Sequence, residues 1–219
     1  MSEKLYIIGA GGFGKEVAWL VERINSVEPV WDLQGFIDDN QKRHGLTEGG
    51  YPIWGGCDFF ENCREEVWVV CAIGAATIRK NVVEKIKKFE HVRFATLIDP
   101  SVIVSSRVKF GEGSIICAGS IFTVDIVVGR HVIVNLDCTI GHDTIIDDFV
   151  TVYPGVHISG DVTIEDCVEL GTGTQIIQNK KIERQTIVGA GAVVTKNLPC
   201  NCTAVGAPAR PIKFHGESI

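Results

Sequence analysis

The sequence predicts a composite chain: an α/β half-Rossmann-like domain over residues 1–97, then an all-β left-handed parallel β-helix of hexapeptide repeats over residues 98–219. Three observations carry this expectation. A glycine turn, Gly9-Ala10-Gly11-Gly12-Phe13-Gly14, follows an apolar strand and opens an amphipathic helix. From Ile98 to Val194 every sixth residue is apolar, and nothing of that rhythm precedes residue 97. With 45% of the chain hydrophobic, seventeen apolar hits in one phase would arise by chance about once in 10⁵ sequences. A period of six fits neither a helix nor an alternating strand, and is the signature of a coil of very short strands.

In chain order, Lys4–Ile8 reads as the first strand, and Phe13, Val17, Leu20, Val21 and Ile24 fall at helical spacing behind the glycines. Glycines at such a turn let backbone N–H groups and the positive end of the helix approach a phosphate. A second strand ends at Gly35-Phe36-Ile37 before Asp38-Asp39, acidic residues placed to read a ribose or base; a third is Val67–Ile73 before Gly74. A helix from about Thr77 and a strand near Val92–Leu97 complete about four parallel strands. A dinucleotide fold needs two such halves, and the hexads begin where the second would start. A single nucleotide, the UDP or GDP of an activated sugar, is expected rather than NAD.

In the repeat region three hexads make one triangular turn, so residues eighteen apart stack at about 4.8 Å. The apolar residue of each hexad is expected to point into the prism. The residue after it is often Gly, Asn or Asp (Asp99, Gly111, Gly129, Asn135, Gly141, Asp147, Gly171, Gly189), which is expected to supply the positive φ of a corner. Flat walls of such a solenoid suit side-by-side packing of copies.

Net charge is −6 with no basic block, which argues against nucleic acid. No apolar run reaches a membrane span, and eight cysteines without C-x-x-C or a leader read as free thiols in a reducing cytoplasm. Of six histidines, His131, His142 and His157 lie in the coil but at different hexad positions, so they diverge and no metal site is expected. His142 follows Gly141 at a corner, is followed by Asp143, and stacks on Gly160 eighteen residues on. A histidine beside a carboxylate is a candidate general base, since the anion fixes the tautomer and stabilises the imidazolium.

The glycine turn, Asp38-Asp39, the unbroken hexads, Asn135–Asp143, Val188–Lys196 and the tail Val205-Gly206-Ala207-Pro208-Ala209-Arg210 together resemble one family. It is the bacterial sugar O- and N-acetyltransferases of the sialic-acid O-acetyltransferase and UDP-4-amino-sugar N-acetyltransferase type, and the resemblance covers nearly the whole chain. It implies His142 as catalytic base, Asp143 as its acidic partner (commonly Glu in the family), and Asn135 near the accepting group. It further implies Gly11, Gly12 and Phe13 at the sugar nucleotide and Asp38, Asp39 and Gly74 at the nucleoside. Acetyl-CoA contacts are implied at Thr151, Gly160, Thr172, Ala190, Gly206, Ala207 and Pro208, in a homotrimer serving polysaccharide or glycan biosynthesis. Two departures bear on the sugar. An amino-sugar enzyme of the family carries histidine where this chain has Phe13 and Thr151.

The expected activity is acetyl-CoA-dependent N-acetylation of a UDP- or GDP-linked amino sugar. O-acetylation of a sugar such as sialic acid is the alternative within the class. A non-catalytic β-helix binding module and an NAD-dependent oxidoreductase are the alternatives outside it.

Overall fold

A computed structural model describes residues 2–216 of the chain. The chain divides into two compact units, Met1–Pro100 and Ser101–Ile219.

The first unit is a sheet with two helices. Its elements are β1 (Glu3–Ile8), α1 (Gly12–Val27), β2 (Trp31–Ile37), β3 (Thr47–Glu48), β4 (Tyr51–Gly55), β5 (Val67–Cys71), α2 (Ala76–Ile86), β6 (Val92–Phe94) and β7 (Leu97–Ile98). The sheet order is β3-β4-β2-β1-β5-β6. Leu5, Ile7 and Ile8 are buried along successive positions of β1, the pattern of a strand covered on both faces. Against it α1 buries Val17, Ala18, Leu20 and Val21. Gly14 is there for packing: a Cβ would run into the carbonyl oxygen of Gly9.

Five strands run parallel (β4, β2, β1, β5, β6), one more than the periodicity predicts, and β3 folds back antiparallel on β4. The addition is the hairpin Thr47–Gly55, which turns at Gly49 and Gly50, both at positive φ. It escaped the pattern because Pro52 interrupts a five-residue strand of which only Ile53 is buried. The chain steps from β1 to β2 to β4 on one side, then crosses back to β5. The order therefore reverses between β1 and β5, where ligands of open α/β sheets bind at the strands' carboxyl ends.

The second unit is a left-handed parallel β-helix. Two-residue strands recur every six residues from Ile103–Val104 to Val193–Val194 and form three walls. The first wall stacks Ile133 on Ile115 and Thr151 on Ile133; the second stacks His157 on Thr139; the third stacks Ile145 on Val127. Each pair is eighteen residues apart, and the register holds through Gln175↔Val193. Beyond it, strand Cys202–Val205 continues the first wall and Arg210–Phe214 returns antiparallel on it.

Two expectations need correction. From Ile116 onward every sixth apolar residue is buried, but Val104 is 42% exposed and Ile98 and Phe110 are partly exposed. The earliest hexads have no full coil of the second unit stacked outside them. The positive φ also falls elsewhere, three residues after the apolar position: Gly113, Gly119, Asp125, His131, Asp137, Asp143, Phe149, Gly155, Asp161, Cys167, Gly173, Asn179, Gln185 and Gly191. The glycines one residue after it answer to a different constraint. A Cβ on Gly129 would stand 2.7 Å from the carbonyl carbon of Asp147, and one on Gly141 would stand 2.6 Å from the nitrogen of Gly160. Close approach of the next coil selects glycine there, while the strained dihedral is carried by whatever residue sits two places on.

This assignment fixes the sign of two substitutions. Gln185→Gly, at φ 57°, is expected to stabilise the coil by about 1 kcal/mol, and Gly173→Ala, at φ 71° with open space around it, to destabilise it by about 1–2 kcal/mol. Equilibrium denaturant unfolding reads both, and opposite signs would refute the corner assignment.

Candidate active site

The corner between the second and third walls is built by Gly141–Thr144 and, one coil on, by Ser159–Val162. Asp143 takes the positive-φ position at 57°, which turns its carboxylate back toward the preceding side chain. His142 Nδ1 and Asp143 Oδ2 are 2.7 Å apart, and both side chains are about three-fifths exposed. The coil below presents Gly160, where a Cβ would run into the imidazole. The ring therefore takes the space that a side chain at Gly160 would fill, its Nδ1 engaged by the carboxylate and its Nε2, Cε1 and Cδ2 set over the glycine. Beside this corner the second wall carries a depression of about 390 Å³ lined in part by Thr139, Gly141, His157, Ser159 and Gln175.

The other coil histidines make different contacts. His131 is buried at the corner between the third and first walls and stacks on Phe149, with centroids 5.1 Å apart and planes within 14°. His157 Nδ1 pairs with Thr139 Oγ1 at 2.9 Å on the second wall. Among the described residues no group of three metal-ligating side chains is assembled. The described cysteines are free thiols. Burial is the main cause that pushes Cys138 up to about 11 and Cys57 and Cys71 up to about 12, so these three are poor thiolate nucleophiles at neutral pH.

The remaining coil residues fall on other edges. Asn135, Thr172 and Ala190 follow first-wall strands, at the corner between the first and second walls; Asn135 is buried and its Oδ1 accepts the amide of Leu136 at 2.7 Å. Thr151 is a buried first-wall residue. Gly206, Ala207 and Pro208 form the exposed turn of the C-terminal hairpin, where Gly206 accepts the Val193 amide. One chain thus brings together His142, Asp143 and Gly160, and keeps Asn135, Thr172 and Ala190 one wall away.

In the first unit a cavity of about 380 Å³ opens where the sheet order reverses, lined by the ends of β1 (Ile8), β2 (Ile37) and β5 (Ala72, Ile73) and by Gly9, Gly11, Asp38, Asp39 and Arg43. A neighbouring cavity of about 400 Å³ shares Asp39 and Cys57 with it. Gly11 and Gly12 face open space, so no packing demand selects glycine at either. Gly11, Asp38 and Asp39 line the cavity as the sequence suggests; Gly12, Phe13 and Gly74 stand beside it without lining it. Asp38 ties the turn down, accepting the amides of Ala10 and Asn40, each at 2.9 Å. Asp39 accepts the Cys57 amide at 2.9 Å, and that bond holds its carboxyl below the usual range. Two arginines escaped the sequence reading. Arg43 enters from a polar loop, and Arg79, which a helical pattern would place at the surface, is 1% exposed and donates to the carbonyls of Ile73 and Gly74 at 2.6 and 2.9 Å.

Comparison with known proteins bears on both units. Residues 4–86 match the family model for the PglD N-terminal domain. The GDP-perosamine N-acetyltransferase of Escherichia coli is 31% identical over 155 residues, 70% of this chain and 69% of that protein. The chain belongs to the bacterial sugar acetyltransferase family. Among solved structures, the acetyltransferase domain of PglB from Neisseria gonorrhoeae in complex with acetyl coenzyme A is 30% identical, with a TM-score of 0.87 over 97% of this chain and 100% of that one. A variant of perosamine N-acetyltransferase from Caulobacter crescentus in complex with CoA and GDP-perosamine is 27% identical, with a TM-score of 0.85 over 98% and 97%. The two-unit architecture of this sugar acetyltransferase is thus matched along nearly its full length. Among the described residues no helix is long and apolar enough to cross a membrane.

The glycine floor gives this acetyltransferase a sharp test. Gly160→Ala is expected to leave stability within about 0.5 kcal/mol, because the exposed imidazole can swing aside, yet to lower acetyl transfer roughly 10²-fold by displacing it. Thermal unfolding together with a CoA-release assay measures both, and unchanged turnover would show that the ring position is immaterial.

Proposed function

We propose that this chain transfers the acetyl group of acetyl-CoA directly to the amino group of a nucleotide-linked amino sugar, with His142 as general base assisted by Asp143. The observation that carries the reading is the His142–Asp143 contact of 2.7 Å over the Gly160 floor. Asp143 accepts from Nδ1–H and leaves the Nε2 lone pair free to take a proton. As the neutral amine forms its bond to the thioester carbonyl carbon, Nε2 accepts the amine proton, and Asp143 stabilises the imidazolium. When the carbon–sulfur bond breaks, the imidazolium returns that proton to the departing sulfur, which restores the base and yields the amide and a free thiol. The backbone amide of Gly160 is our candidate to stabilise the developing oxyanion.

Acetyl-CoA suits the exposed positions Thr172, Ala190 and the Gly206–Pro208 turn, with the buried Gly160 reached only beside the His142 ring, and the relatives solved with acetyl coenzyme A or with CoA support it as co-substrate. Because His142 and Gly160 lie on one corner while Asn135, Thr172 and Ala190 lie on another, with Thr151 on the wall beyond, we assign the complete site to two copies packed in a homotrimer. The acceptor follows from the first unit. Gly11 and Gly12 leave room for a diphosphate, and Asp38 and Asp39 stand at the nucleoside. The relative whose structure holds GDP-perosamine supports a GDP- or UDP-linked amino sugar.

Purified protein is expected to release CoA from acetyl-CoA in the presence of a GDP- or UDP-linked 4-amino sugar, and not with sialic acid as acceptor. His142→Ala should lower that rate by about 10²–10⁴-fold with unfolding temperature unchanged, and Asp143→Asn by a smaller factor. Full turnover in His142→Ala would remove the general-base assignment, and acetylation of sialic acid alone would move the acceptor from amine to hydroxyl.

A further inference from the structure

The cavity at the strand-order reversal holds a charge problem. Two carboxylates, Asp38 and Asp39, line it, and a diphosphate placed at the glycine turn would add two further negative charges. Among the described residues lining the cavity Arg43 is the one cation. Its guanidinium sits over the turn: Nη2 donates to the carbonyl oxygen of Ala10 at 2.5 Å and to Glu48 Oε2 at 2.9 Å, while Nη1 is 3.5 Å from Asp38 Oδ2. Glu48 is reached from its other side by Lys15 Nζ at 3.3 Å. Lys15 stands in the first turn of α1 and Glu48 ends the short strand β3, so the hairpin carries a carboxylate across the opening helix turn.

We infer that Arg43 is the diphosphate-binding side chain of this cavity and that Glu48 is its resident carboxylate, exchanged for phosphate oxygens when a nucleoside diphosphate enters. This rests on the proposed nucleotide-linked acceptor. Four observations point the same way. The guanidinium lies within one residue of Gly11, whose missing Cβ leaves the approach open. Its planar fork suits a phosphate as it suits the carboxylate it now holds. The helix N-terminus beside it, capped by Gly11 without a side-chain hydrogen bond, offers amides to the same anion. Lys15 provides Glu48 with a second partner, so releasing Arg43 does not strand a charge. No covalent step is involved; one anionic partner replaces another.

The test is calorimetric titration of the full chain with GDP, UDP, guanosine and uridine at low salt. Arg43→Gln is expected to weaken the better-bound diphosphate at least tenfold and to leave its nucleoside within about twofold, since a charge contact is lost without touching base or ribose. Arg43→Lys should recover part of the diphosphate affinity, since the ammonium restores the charge but not the planar fork. Glu48→Gln should tighten the diphosphate about threefold, an advantage that shrinks as salt is raised. Thermal unfolding of each variant shows that the hairpin still folds. Arg43→Gln that binds diphosphate as wild type does, or that weakens diphosphate and nucleoside equally, would overturn the assignment, the second outcome making Arg43 a support for the loop. Wild-type protein that binds neither GDP nor UDP would remove the nucleotide reading itself, and the role of Arg43 with it.

Discussion

The stacking of each residue on the one eighteen places earlier governs the second unit. Each strand from Ile103–Val104 to Val193–Val194 is two residues long, too short to hold itself, and finds its hydrogen-bond partners in the neighbouring coils. Interior chemistry follows. Side chains that point inward at the corners must be apolar or must satisfy themselves within the ladder. The buried hydroxyls do the latter: Ser114 donates to the carbonyl of Gly129 and accepts the amide of Val132, and Ser120 does the same with Asn135 and Cys138. These hydroxyls bridge consecutive coils where the backbone bends away from its own partner, so a polar interior position costs little.

The same stacking converts a surface histidine into a positioned one. An imidazole that is 62% exposed would ordinarily sample several rotamers. Here the ring has a flat floor because the stacked position is Gly160, and a fixed azimuth because Asp143, in the left-handed region, directs its carboxylate to Nδ1. Exposure of the side chain and restraint of the ring, which oppose each other in a typical surface pair, are obtained together. The fold alone would not predict such chemistry; it resides in two side chains and one absent methyl group.

How far the sequence exposed this arrangement depended on whether a constraint left a chemical trace. The prism interior did, because burial selects apolar side chains at a fixed period. The floor under His142 did as well, because Gly160 could be placed by register. The corner dihedrals did not: Phe149, Cys167, His131 and Gln185 share a positive φ and no chemistry, since position in the coil imposes the conformation and the side chain merely tolerates it. The glycines that looked like corner residues answer to the neighbouring coil instead. Arg79 was invisible for a related reason. A charged residue in an amphipathic helix reads as solvated, and only tertiary structure shows that two backbone carbonyls of the β5–α2 loop take up its donors.

The acidic balance of the chain places a further demand on its first unit. A protein of net charge −6 attracts no anion at long range, so a phosphorylated ligand must be held by contacts within a few ångströms. The glycine turn offers amides and the α1 dipole, a fixed partial charge at the helix start. Asp38, which accepts the Ala10 amide to shape that turn, contributes charge of the wrong sign to the same cavity. Geometry and electrostatics thus conflict at this one carboxylate. Arg43, 3.5 Å from Asp38 and bonded to the Ala10 carbonyl, touches both halves of the conflict at once. A guanidinium supplied by the segment after β2 offsets the charge of the carboxylate that braces the turn. The polar segment that follows Asp39 therefore shapes this cavity as much as the glycines do, although it carries no motif.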